Sequence, residues 1–139
     1  MSTTRELNVY RACGLWDLLL TVTFAAPPLA AFDLALLKRI HVALGGARAF
    51  PAFEPLHLFF VSMFGIMCVI WAVIRVHRPS RLLALYDTVG RFAVASFMIG
   101  FTLAGVSPVV ALFSVSEIGW GVVQGVVLTR ARTRANVAA

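Results

Sequence analysis

Three carboxylic acids stand inside stretches that are otherwise apolar, namely Asp17, Asp87 and Glu117. A charged side chain at the centre of a lipid bilayer costs about 2.5–3.5 kcal/mol on insertion scales. An acid in such a stretch therefore faces a protein interior, pairs with a base or keeps its proton. A carboxyl group that keeps its proton can donate it, whereas a carboxylate beside an arginine stays ionised and can accept one. We predict acid–base chemistry, with Glu117 as proton donor and Asp87 or Asp17 as base.

Further polar and aromatic side chains share helix faces or depths with these acids. Arg91 follows Asp87 by four residues, in the acid-first order that favours an ion pair within one helix. Glu117 and Gln124 lie on one stripe of their helix, because seven residues make two turns. These positions predict one polar pocket. Its expected substrate contacts are Arg91, Gln124, Thr21, Trp16, Tyr86 and Trp120.

Four apolar stretches must position these residues. The chain has 139 residues, of which 60% are hydrophobic and only 13% charged, the composition of an integral membrane protein. Each stretch supplies the roughly 20 residues of helix that cross a hydrocarbon core about 30 Å thick. The predicted spans cover about residues 14–37, 56–74, 83–106 and 109–128. We predict an all-α, polytopic membrane protein, in which residues 1–139 form a single four-helix transmembrane bundle.

The net charge of +6 is distributed unevenly along the chain. Arginines precede the first span, separate the second span from the third and follow the fourth. Because cytoplasmic segments carry an excess of Lys and Arg, both termini are predicted to be cytoplasmic. Arg75 is assigned to the second of these segments as a topology determinant, and Glu6 is expected to lie in water. The arginines suit anionic lipid head groups and show no pattern typical of nucleic-acid binding.

Pro27 and Pro28 fall in the middle of the first predicted span. Each proline removes a backbone donor and crowds the carbonyl one turn earlier, so a kink is expected. The carbonyl groups of Thr23 and Phe24 would then need partners from neighbouring helices or water, because lipid offers none.

The sequence predicts no metal site and no cofactor. Cys13 and Cys68 are expected at different depths, so we predict no disulfide between them. His57 and His77 lie at opposite ends of the second span, which does not favour haem ligation. A contact between His57 and Asp33 is expected at the outer rim. The chain contains none of the common metal or phosphate motifs.

Three functions of different class follow from this pattern. The first is a cofactor-independent membrane enzyme of isomerase, cyclase or hydratase type, acting on a lipophilic small molecule from the bilayer. The second is a proton-coupled small-molecule transporter, which with four helices per chain would be a homodimer. The third is an accessory or assembly subunit of a larger membrane complex. Gly121 and Gly125 form a GxxxG motif, expected to admit an internal helix rather than a second subunit.

Overall fold

The chain folds into five α-helices joined by short connections. The computed structural model describes residues 3–137, excluding the side chains of residues 132 and 134–137. A 3₁₀ turn over Val22–Ala25 separates the first two helices, and the described range contains no strand. The predicted all-helical class is therefore confirmed. The helices are α1 (Thr4–Thr21), α2 (Pro27–Ala43), α3 (Pro55–His77), α4 (Arg81–Leu103) and α5 (Pro108–Val137).

Three of these helices are long and apolar enough to cross a membrane: α3, α4 and the Pro108–Ala131 part of α5. A fourth crossing is available if Thr4–Ala25 and α2 together count as one bent span. Large apolar side chains cover the outside, as at Phe97, which is 73% exposed, whereas the guanidinium of Arg91 is buried. This distribution is the inverse of that in a soluble protein and is compatible with a membrane protein.

The prolines produce a break between α1 and α2. The sequence predicts a kink within one continuous helix, but the two helices differ in direction by 109°. Ala26 is extended, with φ −125° and ψ 118°, as a residue before proline prefers. Pro27 begins α2, where its missing N–H is no loss. The carbonyl of Thr23 accepts a bond from the N–H of Ala26 at 3.4 Å, so the turn satisfies part of its own backbone.

Helix α3 covers this break. Gly65 faces the backbone of Phe24 and Ala25, and a Cβ at Gly65 would lie only 2.4 Å from the carbonyl carbon of Phe24. A glycine is therefore required for this close approach. The contact also shields the irregular backbone of the turn, which lipid could not hydrogen-bond.

The longer helices pack as two pairs, with α1 along α3 and α4 along α5. The second pair is a helical hairpin. Its turn includes Gly105, whose φ of 70° lies in the left-handed region that favours glycine. The N–H of Gly105 donates to the carbonyl of Thr102 at 2.9 Å, which ends α4 in the usual manner.

The GxxxG glycines lie inside this hairpin. A Cβ at Gly121 would lie 3.1 Å from the ring of Phe92, and one at Gly125 would lie 3.8 Å from Thr88. Both neighbours belong to α4. The glycines thus face an internal helix, as expected.

One end of the molecule gathers the N-terminus of α1, the α3–α4 link and the later part of α5. Glu6 binds Arg81 with an O–N distance of 2.9 Å, and Arg5 and Arg130 line a common cavity. The expectation that Glu6 lies in water is wrong, because this residue is only 5% exposed. Burial is tolerated here because the carboxylate has a guanidinium partner.

The opposite end is held by His41, near the end of α2. Its Nδ1 lies 2.8 Å from the hydroxyl oxygen of Ser107, and its Nε2 lies 2.8 Å from the carbonyl oxygen of Arg48. A carbonyl only accepts, so Nε2 carries the proton and Nδ1 of the neutral ring accepts from the hydroxyl. His57 takes a different role from the one expected, because its Nδ1 accepts from the N–H of Glu54 at the start of α3.

Candidate functional site

Five charged side chains meet where α1, α3, α4 and α5 come together. We call this cluster the ion network, and its members are Asp17, Arg75, Asp87, Arg91 and Glu117. Each of the four helices contributes at least one member. Two guanidinium groups therefore serve three carboxyl groups inside an otherwise apolar bundle.

Asp87 has donors on both of its carboxylate oxygens. Its Oδ2 lies 2.8 Å from Nη1 of Arg75 and 3.0 Å from Nε of Arg91. Its Oδ1 accepts from Nε1 of Trp71 at 3.0 Å, and the thiol sulfur of Cys13 lies 3.6 Å from Oδ2. The side chain is only 6% exposed. Such an environment favours a permanent carboxylate that anchors the two arginines.

Arg91 also holds the other two acids. Its Nη1 donates to Oε2 of Glu117 at 2.9 Å, and its Nη2 donates to Oδ2 of Asp17. That same Oδ2 accepts from Nη2 of Arg75 at 2.5 Å. The side chains of Asp17 and Glu117 are 18% and 24% exposed. Within the described residues no donor is bonded to their second oxygens, which leaves one oxygen of each acid available.

Arg75 is the member of the ion network whose position the sequence does not predict. The sequence places it in a loop as a topology determinant, but it lies within α3 and its side chain is 3% exposed. A signal for this position exists in the sequence. Ser62, Gly65 and Ala72 form a buried stripe at helical spacing, and Arg75 continues it one turn further.

Trp16 and Gln124 make contacts beside the ion network. Nε1 of Trp16 donates to the hydroxyl of Ser116 at 2.9 Å, which ties α1 to α5 one residue away from each partly exposed acid. Gln124 is fully buried and its amide group meets the hydroxyl of Thr88, with 3.2 Å between Oε1 and Oγ1. Gln124 thus joins α4 to α5 and is hydrogen-bonded to no member of the network.

The contact between Gln124 and Thr88 fixes the orientation of the amide. The single hydroxyl hydrogen of Thr88 is used by the carbonyl of Ala84 at 2.7 Å. The hydroxyl can then only accept from Gln124, so we assign the amide nitrogen to the side facing Thr88. This assignment gives a partner to the nitrogen that otherwise has none.

Three of the predicted substrate contacts take no part in the ion network. The hydroxyl of Thr21 donates to the carbonyl of Asp17 in its own helix at 2.7 Å. Tyr86 is 62% exposed, and Trp120 is half-buried. Neither aromatic residue is hydrogen-bonded to the network in the part of the chain that the structure describes.

The ion network is closely packed. Two well-formed cavities, of about 150 and 230 Å³, lie elsewhere, and none of their lining residues belongs to the network. Access to the acids is thus confined to the partly exposed edges of Asp17 and Glu117.

The network also contains a set of atoms that matches divalent metal ligands. The sulfur of Cys13 and carboxylate oxygens of Asp17 and Asp87 lie within 4.8 Å of one another. Arginines already occupy the same carboxylate oxygens, so a cation would have to displace them. Cys13 and Cys68 are both free thiols, and the geometry favours arginine as the counter-charge here.

The side chains of the network can transfer protons and stabilise charge, since they offer carboxyl groups beside fixed guanidiniums. Asp17 and Glu117 are the members with an available oxygen and partial exposure. No protein-family model, no curated protein and no solved structure matches the chain.

Proposed function

We propose that this chain is a four-span membrane protein and that Asp17 and Glu117, held by Arg91, exchange a proton with a lipophilic substrate. The reaction class is cofactor-independent isomerisation, cyclisation or hydration. The observation that carries the proposal is the binding of both acids to one guanidinium, each with an oxygen left over.

The apolar exterior supports the membrane placement, with the bent pair of α1 and α2 supplying the fourth crossing. The end that gathers the N-terminus of α1, the α3–α4 link and the later part of α5 is rich in arginine. By the positive-inside rule this end faces the cytoplasm, and both termini with it.

The charge balance of the ion network supports proton exchange. Three ionised carboxylates and two guanidiniums would leave one uncompensated negative charge in a low-dielectric interior, which is costly. One proton on a carboxyl group removes that charge. Asp87 has donors on both oxygens, so the proton is shared between Asp17 and Glu117.

The position of the pair supports a substrate that arrives from the bilayer. Both acids are partly exposed near the α1–α5 seam, where Trp16 and Ser116 form the only hydrogen bond between these two helices among the described residues. A lipophilic molecule that approaches this seam laterally would need no enclosed aqueous cavity. The bond between Trp16 and Ser116 would then control how far the seam opens.

In this scheme Glu117 donates its proton to a carbon–carbon double bond of the substrate. Arg91 and the ionised Asp87 hold the geometry while positive charge develops on the substrate. Asp17 then removes a proton from the neighbouring carbon, which gives the isomer. The proton returns from Asp17 to Glu117, so the cycle consumes no co-reactant.

Solvent deuterium tests this function across all the lipids of a membrane at once. The protein is reconstituted with a total lipid extract in D₂O, and the lipids are analysed by mass spectrometry. The wild type should introduce deuterium into one lipid species, and Glu117→Gln and Asp17→Asn should abolish this. Asp33→Asn, which changes an acid outside the ion network, is the matched control. Absence of any protein-dependent deuterium incorporation would count against the enzyme.

A second candidate function is that of an accessory subunit of a larger membrane complex. The close packing of the ion network and the full set of donors on Asp87 favour it. This function predicts a partner that co-purifies in mild detergent at fixed stoichiometry. It also predicts that Glu117→Gln leaves that association unchanged.

A further inference from the structure

A second site of interest lies where the first turns of α1 meet the later part of α5. A cavity of about 150 Å³ is found there. None of its residues belongs to the ion network, so this cavity is separate from the proton-exchange pair. It is lined by Thr3, Arg5, Glu6, Val9, Val127 and Arg130.

This cavity carries net positive charge. Glu6, the one acid among its lining residues, is bound by Nη2 of Arg81 at 2.9 Å and Nε of Arg81 at 3.2 Å, so its charge is already compensated. Arg5 and Arg130 are exposed, and neither forms an ion pair with a carboxylate in the described part of the chain. Two available guanidiniums therefore line a space of the size of a small anion.

The chemistry of the lining residues selects the anion. Guanidinium groups bind phosphate oxygens through paired, charge-assisted hydrogen bonds. Val9 and Val127 give the cavity an apolar wall, which suits the part of a lipid next to its phosphate. Val127 and Arg130 lie in the last turns of the Pro108–Ala131 candidate span, at the level where lipid phosphates are found.

We infer that this cavity binds the phosphate group of an anionic phospholipid, with Arg5 and Arg130 on the phosphate oxygens and the two valines against the glycerol. The inference uses the proposed membrane placement and is independent of proton exchange by Asp17 and Glu117. Such binding would join the two ends of the chain through one lipid molecule.

Native mass spectrometry of the full chain in detergent micelles tests the site. The protein is titrated with phosphatidylglycerol and, separately, with phosphatidylcholine. Phosphatidylglycerol should bind preferentially, and the double variant Arg5→Gln/Arg130→Gln should bind it about tenfold or more weakly. The matched double variant Lys38→Gln/Arg39→Gln removes the same charge from α2 and should bind as the wild type does.

Two further measurements complete the test. Competition by excess inorganic phosphate would show that the phosphate group alone holds the occupant, whereas retention of lipid would show that the apolar wall also contributes. Either result supports the site. Arg5→Lys/Arg130→Lys keeps both charges and should retain the lipid, which separates binding from folding. Equal affinity of the wild type and the Arg5→Gln/Arg130→Gln variant, or equal loss in both glutamine pairs, would overturn the inference.

Discussion

Asp17 in the first helix and Glu117 in the last helix accept hydrogen bonds from the two terminal nitrogens of the same guanidinium, that of Arg91. Arg91 itself lies on α4 and also binds Asp87 through Nε at 3.0 Å. One side chain thus uses all three of its nitrogens on acids from three helices. This arrangement makes Arg91 the centre of the ion network.

The contacts between the two helix pairs are largely polar. Asp87 on α4 binds Arg75 and Trp71 on α3, and Asp17 on α1 binds Arg91 on α4. Apolar contacts alone give little preference for one arrangement of helices in lipid, because lipid tails are as apolar as leucine. We therefore expect the ion network to determine how the α1–α3 pair meets the α4–α5 pair.

The first prediction concerns Arg91. Arg91→Gln removes the partner of three acids and leaves them uncompensated, which should destabilise the fold by about 3–5 kcal/mol. Thermal unfolding in detergent micelles measures the change. Arg39→Gln, an exposed arginine on α2, is the control and should change stability little. An Arg91→Gln effect near the average of about 0.6 kcal/mol for a hydrogen bond between membrane helices would show that the network is dispensable.

The second prediction separates two arginines that the sequence treats alike. Arg75 is buried in the ion network, whereas Arg78, three residues later, is exposed. Arg75→Met should therefore reduce stability by several kcal/mol, since it unpairs buried acids. Arg78→Met should leave stability within about 0.5 kcal/mol of the wild type, as is usual for surface changes. Equal effects of the two substitutions would place Arg75 outside the bundle.

The third prediction concerns the break between α1 and α2. Gly65→Ala would place a Cβ against the backbone of Phe24, so we expect a loss of about 1–3 kcal/mol from overpacking. Gly119→Ala is the matched control, because a Cβ there meets no atom within 4 Å. Alanine at that helical position should stabilise by up to about 1 kcal/mol. A neutral Gly65→Ala would argue against the close approach of α3 to the turn.

The fourth prediction concerns the bond between Trp16 and Ser116. If this bond controls access at the α1–α5 seam, Trp16→Phe should alter the rate of deuterium incorporation more than the unfolding temperature. Trp120→Phe changes a tryptophan that is not hydrogen-bonded to the network and serves as the control. Equal deuterium rates for both variants and the wild type would contradict a role in access.

Local sequence patterns predict the helices and one ion pair of the network. The apolar stretches indicate where the long helices lie, and the spacing of Asp87 and Arg91 predicts their contact within α4. Position along the spans and helical face bring Asp17 and Glu117 to the same region. The size of the break at Pro27 does not follow from the sequence, because a proline pair is compatible with either a kink or a new helix start.

Other features depend on packing, which the sequence pattern does not show. Arg75 resembles a loop residue in the sequence because an arginine near the end of an apolar stretch usually marks a membrane boundary. Glu6 has no visible reason to be buried, because its partner, Arg81, is distant in the chain. Gln124 shares a stripe with Glu117 but meets Thr88, because two helical turns separate it from the network.

The central claim is that Asp17 and Glu117 share one proton. Infrared spectroscopy of the reconstituted protein at neutral pH tests it through the carbonyl stretching band of a protonated carboxylic acid. The wild type and Asp33→Asn should show this band, and Glu117→Gln and Asp17→Asn should each remove it, since either change balances the network with the two arginines. A wild type without the band, or a band that persists unchanged in Glu117→Gln and Asp17→Asn, would contradict the claim.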